Sequence, residues 1–200
     1  GIEVVVPKGV FKYQLDKIIL ERTKSIWFKK AVSQLKKYRK QLAPNTIDLV
    51  YSGERWIISY ETMIINSESQ ILETGNNHIQ IAMNEMNPMF HIDLLQNWLQ
   101  VKAENMLMPL VSNISESTKL RFNRAKIKSQ KTSWGTCSAL GNINLNRNLF
   151  FLSKELVEYV IVHELCHTKI MNHSLDFWQV VEDYIPNCRL ISKKLGVKGK

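Results

Sequence analysis

Val162-His163-Glu164-Leu165-Cys166-His167 is the segment that most restricts how this 200-residue chain can fold. Two histidines four residues apart meet when the backbone between them is helical, because residues i and i+4 then stand one above the other on one face. Both rings can then reach a single ion. Zinc takes neutral imidazole nitrogen at about 2.0–2.1 Å, and catalytic zinc sites commonly combine three protein ligands with water. Glu164 directly follows the first histidine, so its carboxylate reaches the water rather than the metal. It can take a proton as that water attacks a carbonyl and return it to a leaving amine. The sequence therefore predicts His163 and His167 as metal ligands, Glu164 as general base, and Zn2+ as cofactor.

His173 follows six residues after His167 and is the expected third ligand. The spacing is that of the pattern HExxHxxGxxH, with Ile170 at the glycine position. Asn172 tolerates a left-handed backbone, which would let the chain double back. Asp176, Glu182 and Asp183 are the other candidates for this ligand, and Glu182 would make a glutamate-type site. Cys166 points about 100–160° away from the metal face and reads as a small buried hydrophobe. His78 and His91 read as ordinary surface residues. Among cations that could stabilise a transition state, Arg121, Arg124 and Lys131 are not distinguished by the sequence.

Around this segment the pattern is mixed. Ile2 to Val6 reads as a strand end, and Phe11 to about Gln41 as a long or broken helix with Lys36, Lys37, Arg39 and Lys40 on a basic outer face. Residues 47–84 carry β-type side chains cut by Ser52-Gly53, Asn66-Ser67 and Gly75-Asn76-Asn77, which predicts short antiparallel strands. Pro88 to about Ser112 predicts a helix with Leu94, Leu95, Trp98, Val101 and Met108 on one side. Arg124–Ser129 and Gly141–Asn146 read as strands. Ser153 is placed to cap a helix whose buried stripe is Leu156, Val157, Val160 and Ile161, and Ser174 to cap another that ends at Pro186. The division expected is 1–115, helical and β-rich with strands 47–84 as a possible insertion, and 116–200, the part bearing the site.

Composition bounds the partners. The formal net charge is +9, but it is unevenly distributed. Residues 1–60 hold 12 Lys/Arg against 5 Asp/Glu, residues 61–110 hold 1 against 6, and residues 111–150 hold 7 against 1. Basic stretches of this kind attract phosphate backbones, so nucleic acid is a possible partner. The three cysteines form no CxxC pair, which favours a reducing compartment and a cytoplasmic location. No apolar run approaches the roughly 18 residues that span a bilayer, so no membrane association is expected. The chain opens on Gly1 rather than Met, which leaves room for a leader upstream.

Ser133-Trp134-Gly135-Thr136-Cys137-Ser138, Gly141–Asn146, Tyr159–His167, Asn172-His173-Ser174 and Phe177-Trp178 together resemble the YgjP-like metallopeptidase-domain family, itself related to SprT-like proteases. The resemblance is specific over about residues 120–190. It implies an α+β, compact zincin-like fold, with an antiparallel or mixed sheet packed on the metal-bearing HExxH helix and a helical N-terminal part. It also implies zinc on His163, His167 and His173, with Glu164 as base, in a metallopeptidase that takes peptide or protein substrates. Asn142, Asn144 and Asn146 alternate along what would be an edge strand, where an extended peptide can pair, and are the candidate substrate-binding residues. Trp134 and Cys137 are expected to pack behind the site, and Phe177 and Trp178 to hold His173 in place. The alternative function is a nucleic-acid-associated protein, either a protease of DNA-bound proteins or a binding module with a non-catalytic zinc site. Hydrolysis of a non-peptide amide would use the same metal and base.

Overall fold

The structure is a computed structural model and describes residues 44–62, 70–83 and 90–196. The strand expected at Ile2–Val6 and the basic helix expected at Phe11–Gln41 lie outside the described residues.

Among the described residues, two small sheets and four helices share one apolar core. The first sheet contains β1 (Thr46–Leu49), β2 (Glu54–Thr62), β3 (Gln70–Gly75) and β4 (His78–Met83), in the order β1-β2-β4-β3. Asn76 and Asn77 join β3 to β4 with φ of 48° and 55°. Two consecutive positive φ values form the tight hairpin turn whose twist suits antiparallel strands. The expectation of purely antiparallel pairing is corrected here, because β2 and β4 run parallel. β4 carries Ile79 and Ile81, both fully buried, and takes a central position, whereas β3 is mostly exposed and takes the edge. The chain therefore places β3 outside β4, and β4 returns in the direction of β2.

Helix α1 (Phe90–Thr118) runs past the expected division at residue 115 and packs on strands of both sheets. Its buried stripe is Leu95, Trp98, Leu99, Ala103, Leu107, Val111 and Ile114, at helical spacing. Val101, placed on the inner face by the sequence reading, is 56% exposed, because it stands about 160° round the helix from the buried Leu99 and Ala103. Trp98 meets Trp56 of β2 edge to face at 5.1 Å, and its indole N–H donates to Glu73 Oε1 at 2.7 Å. His91, expected on the surface, is 2% exposed and lies edge-on to Tyr60 at 5.6 Å. Its position in the first turn of α1 carries it under the sheet.

The second sheet has the order β5-β7-β6, built from β5 (Arg124–Lys128), β6 (Gly135–Cys137) and β7 (Asn142–Asn146). β5 runs parallel to β7, and β6 antiparallel to it. A 3-10 turn over Arg147–Phe151 buries Leu149 and Phe150, and leads into α2 (Lys154–Cys166). Ser153 occupies the N-cap position of α2 without a side-chain cap bond, and Glu155 sits in the favourable first turn. Val157, Tyr159, Val160, Ile161, Val162, Leu165 and Cys166 are all buried, so the helix is enclosed on nearly every side. A helix that is apolar all round belongs in the middle of a fold. Helix α3 (Leu175–Tyr184) begins at Ser174, whose Oγ accepts from the Phe177 N–H at 3.4 Å. Asn187, at φ 62°, then turns the chain into α4 (Cys188–Lys194), which the sequence reading did not anticipate. Among the described residues no helix is long and apolar enough to cross a membrane.

Candidate metal centre

The last turn of α2 brings His163 and His167 together, with ring centroids 4.9 Å apart. The chain then curls tightly, with the N–H groups of Thr168 and Ile170 donating to the carbonyls of Leu165 and Cys166 at 3.0 and 3.1 Å. Asn172 does not adopt the left-handed backbone expected of it. Its side-chain oxygen instead accepts from the Ser174 N–H at 3.2 Å, and this local turn delivers His173 to the pair. His173 Nε2 stands 3.0 Å from His163 Nε2, and one ligand nitrogen from each of the three rings lies within 4.8 Å of the others. Imidazole nitrogens on one tetrahedral zinc stand about 3.3 Å apart, so the three rings fit a shared ion with small adjustments. Asp176, Glu182 and Asp183 are not in the group. Glu182 accepts from the Asn187 N–H at 2.7 Å and the Cys188 thiol at 2.9 Å, at the start of α4.

The surroundings hold the rings in the form a metal needs. Burial pushes the pKa of His163 down to about 3, helped by its two histidine neighbours, and it also lowers those of His167 and His173. All three are thus neutral imidazoles near pH 7, with lone pairs available. His167 Nδ1 lies 3.0 Å from the Ile170 carbonyl, which fixes its proton there and leaves Nε2 free. His163 Nδ1 lies 3.2 Å from the Tyr159 hydroxyl, which Ser192 of α4 also hydrogen-bonds. Phe177, fully buried, stacks on His167 at 4.4 Å and meets the edges of His163 and His173 at 4.9 Å each. Trp178 contacts the His163 and His173 rings at 6.0 and 5.9 Å. Both aromatics occupy the supporting place expected for them.

Glu164 is 6% exposed and has no ion-pair partner among the described residues. Burial pushes its pKa up to about 8. A divalent cation in the histidine cluster acts in the opposite direction and favours the carboxylate. The side chain lies directly on the backbone of β6. A Cβ added at Gly135 would stand 2.6 Å from Glu164 Cγ and 2.7 Å from Oε1. Gly135 thus shapes the site, a role the sequence reading did not assign to it. A glycine at the start of a strand is a weak signal, and only the register against α2 reveals its purpose.

A cleft of about 790 Å³ opens over this group between β6 and α2. Trp134 and Cys137, expected behind the site, line it, together with Met171 and Leu195. Cys137 does so because β6 pairs it with the buried Ile143, as it pairs Gly135 with Leu145, which places both on the face turned towards α2. Burial, then Glu164, raises the Cys137 thiol to about 11. None of Arg121, Arg124 and Lys131 lines the cleft.

β7 is the middle strand of its sheet, which corrects the expectation of an edge there. The edges are β5 and β6, and the one that borders the cleft is β6, only three residues long. Asn142, Asn144 and Asn146 alternate with the buried Ile143 and Leu145, so they lie on the opposite face from α2 and are not brought to the histidines. Asn142 Oδ1 accepts from Asn123, and Asn144 donates to Thr136 Oγ1. Asn146 donates to the carbonyls of Gln130 and Ser133 at 2.8 and 2.9 Å, tying down the loop before β6.

Among solved structures, the chain is similar to the metallopeptidase zymogen of Pyrococcus abyssi abylysin at 26% identity, over 45% of this chain and 91% of that one, with a TM-score of 0.41. The metallopeptidase zymogen of Methanocaldococcus jannaschii jannalysin is similar at 27% identity, over 44% and 91%, with a TM-score of 0.39. No curated protein sequence matches. The pattern of the YgjP-like metallopeptidase domain matches residues 1–198, nearly the whole chain, and the protein belongs to that family.

Proposed function

We propose that this metallopeptidase-family protein is a zinc-dependent peptidase, with His163, His167 and His173 holding the ion and Glu164 acting as general base. The observation that carries the reading is the convergence of three imidazoles, His163 and His167 buried and His173 half-buried, beside a buried carboxyl group with no salt-bridge partner among the described residues, all in one cleft. Three nitrogen ligands suit zinc and leave a coordination position open, and zinc there supplies a Lewis acid that polarises a carbonyl and acidifies water. Glu164 takes the proton from the attacking water. Its burial keeps the proton-bearing form accessible, so it can return that proton to the leaving nitrogen. The Ile170 carbonyl, an acceptor only, holds the His167 ring in one tautomer, and the Tyr159 hydroxyl supports the His163 ring at Nδ1. An extended peptide fits along the edge of β6 that borders the cleft.

The test is hydrolysis of an unstructured protein such as casein by zinc-loaded parent and Glu164→Gln. Parent activity that falls by at least a hundredfold in Glu164→Gln, with zinc still bound, supports the reading. Equal activity in the two would remove Glu164 from the chemistry.

A further inference from the structure

The second basic stretch of the sequence becomes one face of the second sheet. Residues 119–147 contain seven Lys/Arg and no Asp/Glu. Within them, β5 alternates Arg124, Lys126 and Lys128, all exposed, with the inward-facing Ala125 and Ile127. The register pairs Arg124 with Asn142 and Lys126 with Asn144, and Asn144 with Thr136 across β6. Paired residues share a face, so these six side chains stand together on the side of the sheet turned away from α2. None of the three cations has an ion-pair partner among the described residues. Like charges gathered on one face repel one another, and that arrangement is relieved by a polyanion.

We infer that this face is a docking surface for the phosphate backbone of nucleic acid, separate from the cleft on the other side of the same sheet. Alternate residues on a strand are about 6.6–6.8 Å apart, so the cations form an evenly spaced row about 13 Å long. A regular row of equal charges suits a ligand whose charge repeats regularly. Protein interfaces draw their affinity from buried aromatic and aliphatic anchors, and membrane surfaces take apolar side chains, whereas these six side chains are all polar or charged. The six side chains include no aromatic ring to stack on bases, so their contacts read the backbone and not the sequence. Asn142 and Asn144 are engaged with Asn123 and Thr136, and they leave the cations as the principal phosphate contacts.

The experiment is fluorescence anisotropy with a labelled 20-base-pair duplex from 50 to 200 mM salt. It compares parent, the triple variant Arg124→Ala/Lys126→Ala/Lys128→Ala, and the control Lys154→Ala/Lys193→Ala/Lys194→Ala. Three phosphates neutralised on this face contribute a slope of about −2.7 in log K against log salt, which is about a fortyfold loss of affinity over that range. The face variant should lose that part of the slope and bind at least tenfold more weakly at 50 mM, while the control keeps the parent's slope. Zinc content and peptide hydrolysis should be unchanged in the face variant, so the outcome is independent of the peptidase reading. A face variant that retains the parent's affinity and slope overturns the inference. Polyglutamate displacing the duplex from the parent at equal charge concentration, and failing to bind the face variant, also overturns it in favour of an acidic protein partner.

Discussion

Substituting Gly135 by alanine adds one methyl group at the point where β6 touches Glu164. The new Cβ would lie 2.6 Å from Glu164 Cγ, 2.7 Å from Oε1 and 2.8 Å from Cδ. Ordinary contact needs about 3.6 Å, so either the carboxyl group or the strand must shift by ~1 Å. The strand is held by its pairing with β7, whereas the Glu164 side chain can rotate, so the carboxyl group moves. A positioned general base is worth about 10²–10⁴ in rate, and a displacement of ~1 Å costs about 10². The casein assay should therefore show kcat/KM lower by about a hundredfold. Overpacking should lower stability by about 1–3 kcal/mol, measured by denaturant titration. Zinc content should be unchanged, because the three atoms nearest the added methyl all belong to Glu164 and none to a histidine. Glu164→Asp in the same background shortens the clashing side chain and should recover stability, with a non-additive coupling in the double-mutant cycle. Full activity in Gly135→Ala with the protein folded would refute the claim that the seat of Glu164 on β6 sets the position of the base.

Three other substitutions and reagents probe the supporting groups. Tyr159→Phe removes the hydroxyl beside His163 Nδ1 and should weaken zinc binding by about 10–100-fold in a chelator competition, with little change in fold. Phe177→Ala deletes the ring in contact with all three histidines and should cost about 3–5 kcal/mol in denaturant unfolding, with a weaker zinc site in the fraction that folds. In metal-free protein, Cys137 with its thiol at about 11 is ionised roughly a hundredfold less at pH 8 than a thiol at the ordinary 9.0. Its alkylation by iodoacetamide, followed by peptide mass mapping, should be correspondingly slow and should rise about tenfold per pH unit up to pH 10. A fast reaction at pH 8 would show that the cleft wall is better solvated than its burial implies.

The parts of this protein that were legible in sequence are those encoded by short-range geometry. His163 and His167 had to share a helix face, and Ser174 had the hydroxyl to cap α3. Gly75-Asn76-Asn77 was a turn because asparagine accepts positive φ at little cost. What was not legible depended on partners distant in the chain. Nothing local to β2 says that β4, rather than β3, will lie beside it. β6 is too short for its alternation to register, and the free edge was therefore assigned to β7. His91 is polar, and only the packing of α1 beneath the first sheet buries it. Gly135 reads as an ordinary turn glycine until Glu164 is placed against it. Helix α4 has seven residues and an unusual start at Asn187, yet its Ser192 reaches the Tyr159 hydroxyl and so completes the support of His163.

The central claim is that three histidines on α2 and the following turn hold one zinc ion in an open site. Its most direct test is metal content by plasma mass spectrometry, after purification without added metal and again after supply of zinc at neutral pH, for the parent, His163→Ala, His173→Ala and Glu164→Gln. The account predicts about one zinc per chain in the parent and in Glu164→Gln, and loss of zinc in either histidine variant. A parent that takes up no zinc, or a His173→Ala protein that holds it as tightly as the parent, would contradict it.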